Sequence, residues 1–267
     1  MMKTIYWCFP GGKHKALTLS YDDGKTADRR LVDIMNRHGI RGTFHLNAGK
    51  FGRDGRIECD EAAALYAGHE ISAHSLTHPT LTRMPRELVV QQLLEDRRGL
   101  ERIAGYPVRG MSYPNGAFND EIASLLPHLG LMYARTIVST GRFDVPDDWL
   151  RWPATCHHND NLLGHAHAFN ALFKQHMPYL FYVWGHSYEF DNDNNWGLIE
   201  EFCALMSGRA EIWYATNIEI VDYLDAARRL QFTMDCDRVF NPSAQTVWIS
   251  VEGDVREIPS GRLCALS

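Results

Sequence analysis

The chain has 267 residues, of which 45% are hydrophobic and 22% charged, and it carries a net charge of −6 at pH 7. This length allows one large domain, or one domain with an appendage. The acidic balance disfavours nucleic acid and membrane as partners, and six cysteines without a CxxC pair disfavour a thiolate zinc site and a disulfide scaffold. Since neither a signal-peptide pattern nor an apolar stretch of about 18 residues is found, we expect a cytoplasmic protein.

The first predicted element is a short buried strand over residues 16–20, which runs into the polar stretch YDDG at 21–24. Helical and strand-like patterns then alternate along the chain. The predicted helices cover residues 27–38, 60–67, 85–103, 119–128, 195–207 and 218–230. The predicted strands cover residues 42–47, 70–74, 108–113, 131–138, 178–185 and 211–215. We expect residues 143–169, which are rich in Asp, His and Asn, to be irregular.

This alternation, repeated about seven times, predicts an α/β fold with parallel strands joined by helical crossovers. In a barrel or an open sheet of this kind, chemistry occurs at the carboxyl ends of the strands. After residue 230 the pattern changes to short strands, predicted at 231–234, 246–251 and 255–258. We therefore expect a main domain at residues 1–230 and a small β extension packed on it at 231–267.

The adjacent carboxylates Asp22 and Asp23 form the first candidate site. Like charges this close raise each other's pKa unless a cation or hydrogen bonds intervene. The pair indicates either a division of labour, with one carboxylate on a metal and the other free as a base, or a solvated Asp-Gly turn. His74 and His78, at positions i and i+4, can supply two imidazoles to Zn²⁺, although such pairs are often only structural. Joined to one Asp, they form a triad with open positions for water.

The motifs SYDDG at residues 20–24, GTF at 42–44 and HSLTH at 74–78 resemble, in order and spacing, the NodB-homology polysaccharide deacetylases, carbohydrate esterase family 4. The resemblance covers residues 16 to about 225 and implies a distorted (β/α) barrel of about seven strands. It implies that the first Asp of the pair is the general base, and that the second Asp and both histidines hold a divalent metal. Zn²⁺ is the expected ion, with Co²⁺, Ni²⁺ or Mn²⁺ as alternatives.

Carried over to this chain, the resemblance makes Asp22 the base and Asp23, His74 and His78 the metal ligands. The family's Arg, two residues before a Pro-x-Gly motif, is missing here, because residues 112–116 read SYPNG. By position, the main-chain N–H of Asn115 would stabilise the oxyanion. Arg135, on a predicted strand, is our candidate for the missing guanidinium.

The last family motif is a hydrophobic strand ending in His, and the stretch VWGH fits it. The resemblance gives His186 the role of general acid, for which an ordinary pKa of about 6.5 is suitable, while the alternative is a structural histidine. We place Tyr113, Pro114, Trp184 and His158 at the substrate cleft. Aromatic residues on strands, however, usually belong to the core, and histidines in loops are usually solvated.

The predicted function is that of a metal-dependent hydrolase that removes N- or O-linked acetyl groups from a carbohydrate. The metal would polarise the acetyl carbonyl and activate water, Asp22 would take the proton of that water, and His186 would protonate the leaving group. Two alternatives stay open: a hydrolase of the same fold that acts on a non-sugar amide such as a cyclic ureide, and a catalytically silent carbohydrate-binding relative. The displaced arginine favours the silent relative, and the intact acid, base and metal residues argue against it.

Overall fold

A ring of parallel strands forms the centre of the computed structural model, which describes residues 3–266. The strands, numbered along the chain, are β1 (Ile5–Cys8), β2 (Lys15–Asp22), β3 (Gly42–Leu46), β4 (Glu70–Ala73), β5 (Gly110–Ser112), β6 (Tyr133–Ser139), β7 (Trp152–Ala154), β8 (Cys156–His157), β9 (Tyr179–Gly185), β10 (Ile212–Tyr214), β11 (Gln231–Phe232), β12 (Arg238–Phe240), β13 (Val247–Val251), β14 (Asp254–Ile258) and β15 (Leu263–Ala265). The α-helices are α1 (Asp28–Arg37), α2 (Cys59–Leu65), α3 (Arg86–Ala104), α4 (Asp120–Leu125), α5 (Leu162–Ala171), α6 (Ser187–Asn192), α7 (Trp196–Met206) and α8 (Asn217–Arg228).

The central sheet has the strand order β7-β6-β5-β4-β3-β2-β9-β8, and β10 pairs with the first half of β2. All of these pairings are parallel, as the alternating pattern predicts. β2 lies between neighbours on both sides and is buried along its whole length. Its carboxyl end therefore lies between the carboxyl ends of β3 and β9.

The short segment at residues 152–157 closes the sheet into a barrel. Its first part, β7, pairs with β6, and its second part, β8, pairs with β9. Thr155, between them, receives a hydrogen bond from the main-chain N–H of Gly141 and donates its own N–H to the carbonyl of Tyr182, both at 2.8 Å. The closed ring comprises β2 to β6, the β7–β8 segment and β9, which confirms the predicted distorted barrel.

The prediction that residues 143–169 are irregular was wrong for part of that stretch. It contains β7, β8 and most of α5. β7 and β8 have three and two residues, too few to show a period. In α5 the buried Leu162, Ala166 and Phe169 do follow helical spacing, but the histidines and glycine between them obscure the apolar stripe.

The elements after residue 230 form two small antiparallel sheets, β1-β13-β14 and β11-β12-β15. The first of them includes β1, so a strand from the segment that we assigned to the main domain pairs with the extension, at Ile5↔Val251 to Cys8↔Trp248. The hydroxyl of Tyr223, on α8, joins both parts by donating to the carbonyl of Cys8 at 2.6 Å and accepting from the N–H of Trp248 at 3.0 Å. Across residues 3–266, no helix combines the length and apolar character needed to cross a bilayer.

Candidate active site

The two carboxylates of the SYDDG motif diverge where β2 ends. Asp22 is the last residue of β2 and is 3% exposed. Asp23 adopts a left-handed conformation, with φ of 81°, and its main-chain N–H donates to the carbonyl of His45 on the neighbouring strand at 3.0 Å. Residues other than glycine rarely adopt this main-chain conformation, and such strain is often found at functional sites. Arg56 supports the turn, because its Nε donates to the carbonyl of Asp23 at 3.0 Å.

Asp23, His74 and His78 form a group of potential metal ligands. One donor atom from each of them lies within 4.8 Å of the other two. Nδ1 of His74 lies 2.9 Å from the carbonyl oxygen of Ser112. Because a carbonyl only accepts, this ring carries its proton on Nδ1 and leaves Nε2 free as a ligand. Burial lowers the pKa of His74 to about 4, so the ring is neutral at pH 7, as metal ligation requires.

The loop that carries His74 is held by a buried carboxylate on α3. Asp96 accepts the main-chain N–H of His74 at 2.9 Å with one oxygen and that of Ala48 at 2.7 Å with the other. The side-chain amide of Asn47 donates to the carbonyls of His74 and Ser75, both at 2.7 Å. Burial raises the pKa of Asp96 to about 7, although these main-chain bonds lower it. The position of His74 is therefore fixed by its main chain as well as by its ring.

Asp22 is held from both sides by groups on neighbouring strands. Oδ1 accepts a hydrogen bond from the hydroxyl of Ser112 at 3.1 Å, and Oδ2 accepts one from Nη2 of the fully buried Arg135. Burial alone would raise the pKa of Asp22, but the Arg135 guanidinium, followed by His74, outweighs burial and holds the pKa well below its usual range. Asp22 is therefore ionised and able to accept a proton.

Arg109 lies close to the SYPNG motif in the sequence, but its guanidinium binds Asp222 and not Asp22. Its Nη1 and Nη2 donate to the two carboxylate oxygens of Asp222, on α8, at 2.8 and 2.6 Å. The side chain, on the residue directly before β5, thus points away from Asp22. The guanidinium beside the candidate base belongs to Arg135.

His186 follows β9 directly, and Glu189, one turn later on α6, orients its ring. Nδ1 of His186 lies 3.1 Å from Oε1 of Glu189, and the main-chain N–H of His186 donates to Oε2 at 3.0 Å. Burial lowers the pKa of His186, but the Glu189 hydrogen bond and the charge of Asp22 raise it, and the net result is a raised pKa. Nδ1 therefore carries a proton toward Glu189, and Nε2 is left for another partner.

The SYPNG segment exposes Asn115 and buries Ser112, Tyr113 and Pro114. Asn115 is exposed, and its side-chain amide donates to the hydroxyl of Thr80 at 3.1 Å. Tyr113 is 1% exposed and donates its hydroxyl to the carbonyl of Leu150 at 2.8 Å, while Pro114 is also buried. The burial of Tyr113 argues against the substrate contact that we expected, because its ring belongs to the core. The oxyanion role of the Asn115 N–H stays a prediction.

Trp184 and His158 are also enclosed. The Arg135 guanidinium lies 4.4 Å over the Trp184 ring, which closes that face to a sugar. His158 is fully buried, and its ring stacks between Tyr21 and Phe190 with centroid distances of 5.7 and 4.2 Å. The structure therefore argues against our expectation that His158 contacts the substrate, because in this arrangement its ring offers no surface to a sugar.

Sequence reasoning missed the residues that support the motifs. Glu189 had one local signal, its i+3 spacing from His186 at the start of a helix, where an acidic side chain can cap the first turn. Asp96 had a weaker one, an acidic residue on the buried side of a predicted helix. The contact of Ser112 with Asp22 had none, since it depends on the alignment of strands that are 90 residues apart in the chain.

Comparison with known proteins links this geometry to one family. Residues 10–134 match the model of the polysaccharide deacetylase family. The peptidoglycan-N-acetylglucosamine deacetylase PgdA of Listeria monocytogenes is 27% identical over 139 residues, which are 51% of this chain and 27% of that protein. The chitooligosaccharide deacetylase of Sinorhizobium fredii is 27% identical over 136 residues, which are 50% of this chain and 59% of that protein. The chain thus spans less than two thirds of the length of either relative.

The fold comparison covers more of the chain. The structure of the peptidoglycan deacetylase PdaC from Bacillus subtilis superimposes with a TM-score of 0.52 at 21% identity, and the match covers 81% of this chain and 96% of the PdaC chain. That likeness concerns the fold. With the motifs in order, the matched segment and the shared fold, this chain is similar to the polysaccharide deacetylase family, whose model residues 10–134 match over just under half of the chain.

Proposed function

We propose that this protein is a metal-dependent hydrolase that removes acetyl groups, N- or O-linked, from a carbohydrate. One observation carries the proposal: the potential ligands Asp23, His74 and His78 converge beside an ionised carboxylate, Asp22, that is bound to Arg135. A metal site with only a structural role would not need a second, ionised carboxylate beside it that does not ligate the ion. The two relatives act on a peptidoglycan N-acetylglucosamine and on a chitooligosaccharide by name, which favours an acetylated amino sugar as substrate.

The residues present fit a catalytic divalent ion. Two imidazole nitrogens and one carboxylate oxygen are a ligand set of catalytic zinc sites, which keep an open position, and Co²⁺, Ni²⁺ or Mn²⁺ are alternatives. The Nδ1 proton of His74 is already held by the carbonyl of Ser112, so Nε2 is oriented before any ion binds. When bound, such an ion would act as a Lewis acid toward the acetyl carbonyl and make water more acidic.

The protein's own groups then account for the proton transfers. Asp22, kept ionised by Arg135, accepts a proton from the attacking water, while Ser112 and Arg135 hold its two oxygens in place. His186, with its raised pKa, donates a proton from Nε2 to the departing nitrogen or oxygen. The main-chain N–H of Asn115 is our candidate for stabilising the oxyanion.

This arrangement also weighs against a silent carbohydrate-binding relative. The feature that favoured that alternative was the arginine missing from the SYPNG motif. The guanidinium of Arg135 reaches the same carboxylate from the neighbouring strand β6, so the base does not lack its cationic partner.

The test is acetate release from N-acetylated chitooligosaccharides and from peptidoglycan fragments. We expect release that stops on chelation, returns on addition of one equivalent of Zn²⁺ or Co²⁺, and falls by at least about 100-fold in Asp22→Asn, which keeps the size of the side chain but cannot accept the proton. Asp33→Asn, on the exposed face of α1, is the matched control. Folded protein that binds the ion but releases no acetate from either substrate would contradict the proposal.

A further inference from the structure

We infer that the protein holds a second divalent-cation site, formed by His157, His158 and Glu189. One donor atom from each of these residues lies within 4.8 Å of the other two. Nε2 of His157 is 3.2 Å and Nε2 of His158 is 3.3 Å from the same oxygen, Oε2 of Glu189. Two imidazole nitrogens thus converge on one carboxylate oxygen. None of these residues belongs to the Asp23, His74 and His78 group.

The second observation is an imidazole without a partner. Both ring nitrogens of His158 are buried and have no hydrogen-bond partner among the described residues, since the approach of Nε2 to Glu189 lacks hydrogen-bond geometry. A buried polar group left unpaired is costly, and such a group is usually explained by an ion, a water or a functional role. The chain also makes room for this ring: a Cβ added at Gly185 would lie 2.1 Å from Nδ1 of His158.

The ligand set suits a first-row divalent ion, with Zn²⁺ as the expected occupant. Two histidines and one carboxylate leave coordination positions open, and the partial exposure of His157 provides access from solvent. Nδ1 of His157 accepts the main-chain N–H of Asn159 at 3.2 Å, so its neutral ring carries the proton on Nε2. Ligation through Nε2 therefore requires the tautomer with the proton on Nδ1, which breaks the one exposed hydrogen bond from the N–H of Asn159, a small cost beside ligation of an ion.

The site has a consequence for activity, which rests on the proposed function. The carboxylate of Glu189 also holds His186, through Nδ1 at 3.1 Å and through the main-chain N–H. An ion on Oε2 would compete with His186 for the negative charge of that carboxylate. We expect the second equivalent of metal to inhibit the enzyme that the first equivalent activates.

The experiment counts bound ions in the whole 267-residue chain. Metal-free protein is titrated with Co²⁺ alone, whose visible absorption reports ligation, and with Zn²⁺ alone by equilibrium dialysis. The variants are His157→Asn and His158→Gln for the second site, His78→Asn for the first, and His167→Asn, an exposed histidine on α5, as the matched control. Circular dichroism and thermal unfolding establish that each variant is folded.

We expect two equivalents in the wild type and in His167→Asn, and one equivalent in each of the other variants, with the dissociation constant of the lost ion raised at least about tenfold. Acetate release should fall at the second equivalent in the wild type but not in His157→Asn.

A wild type that binds one ion, lost in His78→Asn and kept in His157→Asn, would overturn the second site and leave the proposed function standing. One ion lost in His157→Asn and kept in His78→Asn would support the second site and contradict the metal site of the proposed function. Two ions retained in both His157→Asn and His158→Gln would also overturn the inference.

Discussion

The guanidinium of Arg135 donates a hydrogen bond to Oδ2 of Asp22 inside the barrel, although the two residues are 113 positions apart in the chain. Both side chains are buried, so neither charge is screened by bulk water. The ion pair keeps the candidate base deprotonated, and the proposed metal ligand Asp23 is the next residue along the chain. In the proposed mechanism, ionisation of the base and binding of the ion therefore depend on two adjacent residues.

Replacement of Arg135 tests this pairing. In Arg135→Lys we expect kcat/KM to fall about 10- to 100-fold. A single ammonium cannot both donate to Oδ2 of Asp22 and lie over the Trp184 ring, as the planar guanidinium does. The pKa of Asp22 should rise once the guanidinium is gone, and since the base acts in its ionised form, the acidic limb of the pH–rate profile should move to higher pH. Arg109→Lys, whose parent side chain binds Asp222, is the control and should leave the limb in place. An unchanged acidic limb in Arg135→Lys would show that the pair does not tune the base.

The pairing of His186 with Glu189 predicts the alkaline limb. A general acid works in its protonated form, so a raised pKa of His186 keeps activity up to pH values above the ordinary 6.5 of histidine, and activity falls as pH rises through the raised pKa. Glu189→Gln removes the charge but keeps an oxygen for Nδ1–H, and should move this limb to lower pH. The profiles are measured with one equivalent of metal.

Glu200→Gln is the control for that experiment, because Glu200 pairs with Arg37 on the surface at 2.9 Å. It should not move either limb. If Glu189→Gln left the alkaline limb where it is in the wild type, the carboxylate would have only a structural role at the start of α6.

Asp96 offers a test of how the loop of His74 is held. Asp96→Asn places an NH₂ group against the main-chain N–H of either Ala48 or His74, which leaves a buried donor unpaired. We expect the free energy of unfolding to fall by about 1–3 kcal/mol and the affinity for the first metal ion to weaken about 10- to 100-fold. Denaturant unfolding and metal titration measure the two effects. Asp33→Asn, in an exposed ion pair with Arg37, should change stability by less than about 0.5 kcal/mol, and equal effects in the two variants would contradict the assigned role.

The close approach of Gly185 and His158 gives a stability prediction. In Gly185→Ala the new methyl group would lie 2.1 Å from Nδ1 of His158, and this ring is enclosed by Tyr21 and Phe190. We expect a loss of about 1–3 kcal/mol in the free energy of unfolding. Gly197→Ala, at a helical position with nothing within 4 Å of the added atom, should be neutral or stabilising. A neutral Gly185→Ala would mean that the His158 ring moves freely.

The short motifs of the candidate site could be recognised in the sequence, but the contacts that other residues make with them could not. The Asp pair and the two histidines are short patterns on single strand ends, and the barrel follows from the repeated alternation of strand and helix. Arg135 could be proposed from its depth along a strand, but its hydrogen bond to Asp22 depends on the alignment of β6 with β5 and of β2 with β3. Tyr113 and His158 were misassigned because neighbourhood in sequence does not show which way a side chain points.

The pairing of β1 with β13 joins the strand that precedes the barrel to the small β extension that follows it. A shortened protein that stopped at residue 230 would leave the N–H and C=O groups of Ile5–Cys8 bare along an open edge, where another molecule can add its own strand. Trimming for crystallisation or screening must therefore treat β1 and the β extension as a single piece, removed or retained together.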